Sequence, residues 1–207
     1  MKQLIITEIF QQAWKQTKAH IWILAGLYVA FTILSSLFAL LVDPLTHSWW
    51  GSSLVNLISA YLSSLFSLGY LRNVIEAQAD IEPQMSAYRQ PVMRVINYVL
   101  ASVIYAIAVG LGTILFILPG IYVAVRLQYY TMFILEEDAN PIQALRHSWE
   151  LTREQTWSLL LVNLSMIGLA LIGLLLLFVG LFVAIPVIYG MYVIIYRNLS
   201  TSPSSGM

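Results

Sequence analysis

Hydrolysis or group transfer needs titratable side chains that converge, and this chain offers few. His20, His47 and His147 lie on or near three different connections, and Glu136-Glu137-Asp138 is the only acidic cluster. A divalent cation favours such oxygens. Three consecutive residues at a helix end point in different directions, however, so a solvated helix end is expected. The chain has no cysteine, which removes thiolate nucleophiles, thiolate metal sites and disulfides. No HExxH, P-loop, GxSxG or dinucleotide fingerprint occurs. These observations predict a protein that is not an enzyme, with no catalytic residue, no metal ligand and no cofactor.

Arg126 is the residue whose chemistry stands out. It lies inside an apolar stretch, with Tyr122, Tyr129 and Phe133 on the same side at helical spacing. A guanidinium within a bilayer costs at least ~2.5–3.5 kcal/mol on insertion scales and keeps its charge. It must therefore find polar company. The options are Asp43, a stripe of Asn56, Ser59 and Ser63 that Ser67 continues, a lipid phosphate, or a solute anion. The stripe itself reads as close helix packing or as a water-lined path.

Composition sets the frame that holds these residues. Of 207 residues 59% are hydrophobic and 10% charged, with a mean hydropathy of +0.80. Soluble domains carry about a quarter charged residues, so the expected class is an all-α polytopic membrane protein. A formal net charge of zero leaves no basic stripe for nucleic acid. A bilayer core needs about 20 apolar residues per helix, which places spans at Ile21–Val42, Leu54–Ile75, Val95–Leu118, Ile121–Leu135, Leu159–Val179 and Leu181–Tyr196. Pro119-Gly120 and Gly180 divide the later spans; alternatively, the two short pieces are re-entrant. The expectation is one membrane domain, 1–199, with no removable signal peptide and a small, polar, disordered tail over 200–207.

All lysines and arginines other than Arg126 precede span one, lie at the end of span two or before span three, lie between spans four and five, or close span six. The other connections carry none. By the positive-inside rule both termini are cytoplasmic. Trp49-Trp50 then reads as an outer interfacial anchor.

The chain also repeats itself. Trp14-x2-Thr17-Lys18-x3-Trp22 recurs as Trp149-x2-Thr152-Arg153-x3-Trp157, and Arg94-x3-Tyr98 is a weaker third copy. Gly120-Ile-Tyr-Val-Ala-Val resembles Gly180-Leu-Phe-Val-Ala-Ile, with Tyr129 matching Tyr189. Ile5, Ile6, Ile9, Phe10, Ala13 and Trp14 form one apolar helical side, and Ile142, Leu145 and Trp149 a shorter one. The reading is three two-span hairpins, each preceded by an amphipathic interfacial segment. A basic residue four before an aromatic puts both on one face, the cation reaching for phosphates while the ring marks the boundary. Topology anchoring alone is the simpler role for these segments.

Leu118-Pro119-Gly120-Ile121-Tyr122-x3-Arg126, followed by Ala144-Leu145-x2-Ser148-Trp149-x2-Thr152-Arg153, resembles a broad superfamily of bacterial integral membrane proteins of unknown function. That group includes the YciC-like family and the membrane domain of some glycerophosphoryl diester phosphodiesterases. The resemblance implies a six-helix, multi-pass protein of the bacterial inner membrane. It carries over no catalytic residue.

The expected function is non-enzymatic engagement of membrane lipid, or of a partner that is a second copy or another membrane protein. The alternative is a small carrier or pore for an anionic solute, using Arg126 and the span-two stripe. The topology is directly testable because no native cysteine interferes. A Ser48→Cys variant should react with an impermeant maleimide from outside intact cells; labelling from the cytoplasmic side alone would reverse the orientation.

Overall fold

The computed structural model describes residues 5–175 and 179–201, and among them every regular element is helical. The described residues form nine α-helices in order: α1 (Ile6–Thr17), α2 (Ile21–Val42), α3 (Trp49–Gln78), α4 (Val92–Leu115), α5 (Ile117–Leu127), α6 (Tyr130–Glu137), α7 (Pro141–Leu151), α8 (Thr156–Leu175) and α9 (Val179–Ser200). Five of them, α2, α3, α4, α8 and α9, are long and apolar enough to cross a membrane.

Large apolar side chains remain uncovered on these helices: Leu41 is 79% exposed and Ile114 83%. In water such surfaces would collapse together; in lipid they are already solvated. The packed core instead lies where tyrosines and small polar groups meet, around Leu68, Tyr70 and Val74 of α3, Tyr129 and Met132 beside α6, and Met191 and Ile195 of α9. Helix α9 is its hub, touching α1, α2, α3 and α8.

The expected fourth span, Ile121–Leu135, is not one helix. It falls across α5 and α6, which are broken at Gln128-Tyr129. Nor does Pro119-Gly120 make the turn before it. The chain turns at Phe116, which is extended (φ −162°, ψ 150°). Pro119 sits in the first turn of α5, where its missing N–H costs nothing. Gly120 is needed for packing: a Cβ there would run into the Thr113 hydroxyl and come within 2.8 Å of the Thr113 nitrogen. Gly112 approaches Gly120 from the facing side, its own Cβ position 3.0 Å from the Gly120 Cα. The two glycines thus let α4 and α5 lie against each other.

Gly180 is the second residue of α9, while α8 ends at Leu175; residues 176–178 are outside the described set. Helix α9 continues through Ser200, and 202–207, most of the expected tail, lie outside the described residues.

The third amphipathic segment is absent. Between α3 and α4 the chain makes only a short 3-10 turn, Met85–Tyr88, bounded by Pro83 and Pro91, and Arg94-x3-Tyr98 belongs to α4 itself. Proline lacks the donor and disfavours a helical residue before it, so no longer helix forms there. This segment is tied down instead by Asn73 of α3, whose Oδ1 accepts the Gln84 N–H at 2.8 Å.

The glycine pair gives a contrast. Gly120→Val should lower thermal stability by about 1–3 kcal/mol through overpacking. Gly110→Ala, where a Cβ meets nothing within 4 Å, should be neutral or slightly stabilising. Equal melting temperatures for the two variants in detergent would contradict the close α4–α5 contact.

Candidate functional site

Arg126 is 2% exposed and sits one residue before the end of α5. Because the helix breaks just beyond, its carbonyl lacks the normal partner four residues on. Two hydroxyls from α7 and its C-cap serve instead: Ser148 Oγ donates to Arg126 O at 3.0 Å, and Thr152 Oγ1 lies 2.9 Å from the same oxygen. Ser148 Oγ also accepts the Tyr129 N–H at 3.0 Å, so one hydroxyl bridges both sides of the break.

The guanidinium returns the service. As α7 ends, Trp149 O has no helical donor, since the Arg153 N–H goes to Glu150 O at 3.2 Å. Arg126 Nη2 donates to Trp149 O at 2.6 Å, and Nη1 donates to Thr156 Oγ1 at 3.3 Å. The C-terminus of a helix carries partial negative charge, so a cation is stabilised there. The Trp149 ring lies under the guanidinium, its centroid 4.3 Å from Cζ, and Tyr122 is at 5.7 Å. Cation–π contacts of this kind contribute about 0.5–2 kcal/mol. Nε has no protein acceptor.

Each helix end therefore caps the other. The sequence reading singled out Arg126 but looked for its partner in the outer loop, the serine stripe or a bound anion. The hydrogen bonds run instead to Trp149 and Thr156, at the junction of α7 and α8. The missed participants are Ser148, Thr152 and Thr156. Their signal was present as three hydroxyl residues spaced four apart across a helix end, where such side chains act as caps.

The other predicted residues are dispersed. Tyr122 is half exposed and meets Trp149 edge-on at 5.9 Å. Tyr129 is fully buried and stacks on Tyr192 at 4.8 Å. Asn56 and Ser63 are exposed and Ser59 is half-buried. Ser63 Oγ donates to Ser59 O of its own helix at 2.7 Å, and the stripe shares no hydrogen bond with Arg126. The acidic cluster splays as expected: Asp138 pairs with Arg94 at 2.6 Å and Glu137 lies 3.6 Å from His147.

Lys18, Trp22, Arg153 and Trp157 form two matching corners. Lys18 follows the last residue of α1 and Trp22 is the second residue of α2; Arg153 lies two residues past the end of α7, and Trp157 is the second residue of α8. A turn separates each pair, so the expected shared helix face does not exist. Both basic residues are exposed, and Trp22 and Trp157 are 79% and 80% exposed.

Fold and composition together define an all-helical membrane protein. Residues 106–202 match the family model of a domain of unknown function, DUF7847. That match includes the whole capped junction and does not carry the YciC-like assignment implied by the motif. No curated protein and no solved structure matches the chain.

Arg126→Leu strands the Trp149 carbonyl and should cost about 1–3 kcal/mol of stability. Arg126→Lys, which keeps charge but loses the planar fork, should fall between that variant and wild type. Thr152→Val should be less than additive with Arg126→Leu, because both act on one junction. Strict additivity in detergent melts would dissolve the link.

Proposed function

We propose that the chain is a non-enzymatic, six-span protein of the bacterial inner membrane, with α5 and α6 forming one broken span and both termini cytoplasmic. It engages anionic lipid headgroups through the two corners where α1 turns into α2 and α7 into α8. One observation carries the reading. Two amphipathic helices at repeated motifs each bury one stripe in the protein and leave a second apolar surface free beside an exposed basic residue.

In α1 the buried stripe is Ile9, Ala13 and Thr17, while Phe10 and Trp14 stay 37% and 42% exposed. In α7 it is Ala144, Leu145 and Ser148, while Ile142 is 72% exposed and Trp149 37%. A helix held to its protein by one side and apolar on another suits the headgroup–acyl boundary. There the indoles of Trp22 and Trp157 mark the interface and Lys18 and Arg153 reach phosphates. The protein-facing stripes make these corners preformed, so lipid would order few side chains on binding.

An anion carrier would need Arg126 and the span-two stripe on one path. Both terminal nitrogens of Arg126 are engaged at the α7 end, and the Ser63 hydroxyl bonds back to its own helix. Lipid engagement is therefore the reading preferred.

Each basic residue near an anionic surface contributes about 1 kcal/mol. Lys18→Gln with Arg153→Gln should thus weaken retention of phosphatidylglycerol about 30-fold, as read by native mass spectrometry after titration in a zwitterionic background. Undiminished retention, with an unchanged melting temperature, would reject these corners as the lipid site.

A further inference from the structure

We propose that the cavity between α3, α4, α8 and α9 takes one acyl chain of a bilayer phospholipid. The site is separate from the headgroup-binding corners and does not rest on them. The cavity has a volume of about 310 Å³, with Gln128, at the α5–α6 break, and Thr131 of α6 completing its wall. It is not enclosed: part of its boundary opens to the surroundings. The four wall helices are each long and apolar enough to cross a membrane. Tyr98 is the seventh residue of α4 and Asn163 the eighth of α8, so the cavity starts about 10 Å along those helices. That is deeper than the headgroup layer.

The wall answers its own polar groups. Ser67 Oγ and Tyr98 Oη are 3.0 Å apart, Asn163 Nδ2 donates to Gln128 Oε1 at 2.9 Å, and Tyr192 Oη donates to Gln128 O at 2.7 Å. Gln128 Nε2 has no protein acceptor, but it is fully buried and presents no surface to an occupant. What faces the space is chiefly carbon, with Leu71, Met166 and Ile188 among the lining side chains. Lipid offers no hydrogen bonds, so polar side chains beside it must satisfy one another. Here they do.

Other occupants fit less well. No lining residue carries a charge at neutral pH, so an ion would find no countercharge at a depth where that is costly. Water holds its place in a cavity through two to four polar partners, and a wall bonded to itself supplies few. A void loses the dispersion contacts of its lining. A hydrocarbon chain restores those contacts and asks for no hydrogen bond, and the flexible thioether of Met166 adapts to its shape. The volume equals that of roughly ten waters, and a methylene group is of similar size. It therefore admits a stretch of one chain and excludes a whole phospholipid.

Photolabelling in nanodiscs of phosphatidylcholine carrying a mid-chain diazirine tests this without any anionic lipid. Adducts should form on Leu71 and Met166, which are 2% and 8% exposed, as well as on the exposed Leu111 and Leu164. Filling the space with Ile188→Trp, or with Thr131→Phe should the first fail to fold, should cut labelling of the first pair severalfold and leave the second pair unchanged. Labelling confined to Leu111 and Leu164, or labelling of Leu71 and Met166 that survives filling, would overturn the proposal. So would ready reaction of Ser67→Cys, in a chain without native cysteine, with a charged methanethiosulfonate, the mark of a water-filled space.

Discussion

A helix that breaks in the packed interior of a protein leaves backbone groups that must find other partners. Around that constraint the second half of this molecule is organised. The break at Gln128-Tyr129 exposes the Arg126 carbonyl and the Tyr129 N–H; the end of α7 exposes the Trp149 carbonyl. Ser148 and Thr152 answer the first two, and the Arg126 guanidinium answers the third. A charge that would be a liability on a straight span becomes the cap of a neighbouring helix. The same bonds hold the amphipathic segment against the bundle and so set where Arg153 and Trp157 emerge.

The repeat shows how the arrangement is modified in the first copy. Thr17 is as buried as Thr152, but it meets α9, which runs unbroken from Val179 to Ser200. No orphan carbonyl awaits it. The contact there is one of close approach: a Cβ on Gly190 would lie 2.8 Å from Thr17 Oγ1 and 3.5 Å from the Ala13 Cβ. Gln78 of α3 completes it by donating to Gly190 O at 2.8 Å. Ala13 stands where the second copy has Ser148, as fits a site with no break to bridge. One motif therefore serves packing in one place and reciprocal capping in the other.

Much of the architecture was legible because long apolar runs have one solution in lipid; α2 and α3 appear where about 20 such residues occur. The turns were less legible. Pro-Gly signals a turn, yet Pro119 also suits a first helical turn and Gly120 a tight crossing, and here those uses prevail. The third amphipathic segment was inferred from Arg94 and Tyr98 alone, which cannot override Pro83 and Pro91. Arg126 was recognisable as a residue in need of partners. Their identity was hidden because it depends on a helix break that no single residue near Gln128 announces.

The account stands or falls on the coupling between the α5–α6 break and α7. Hydrogen exchange on Ser148→Ala in nanodiscs tests it most directly, since that change removes one bridging hydroxyl and little volume. Protection should fall together in residues 128–132 and 141–151, while α1, residues 6–17, keeps its wild-type exchange. Faster exchange confined to α7, or equal loosening of α1, would contradict the reciprocal cap.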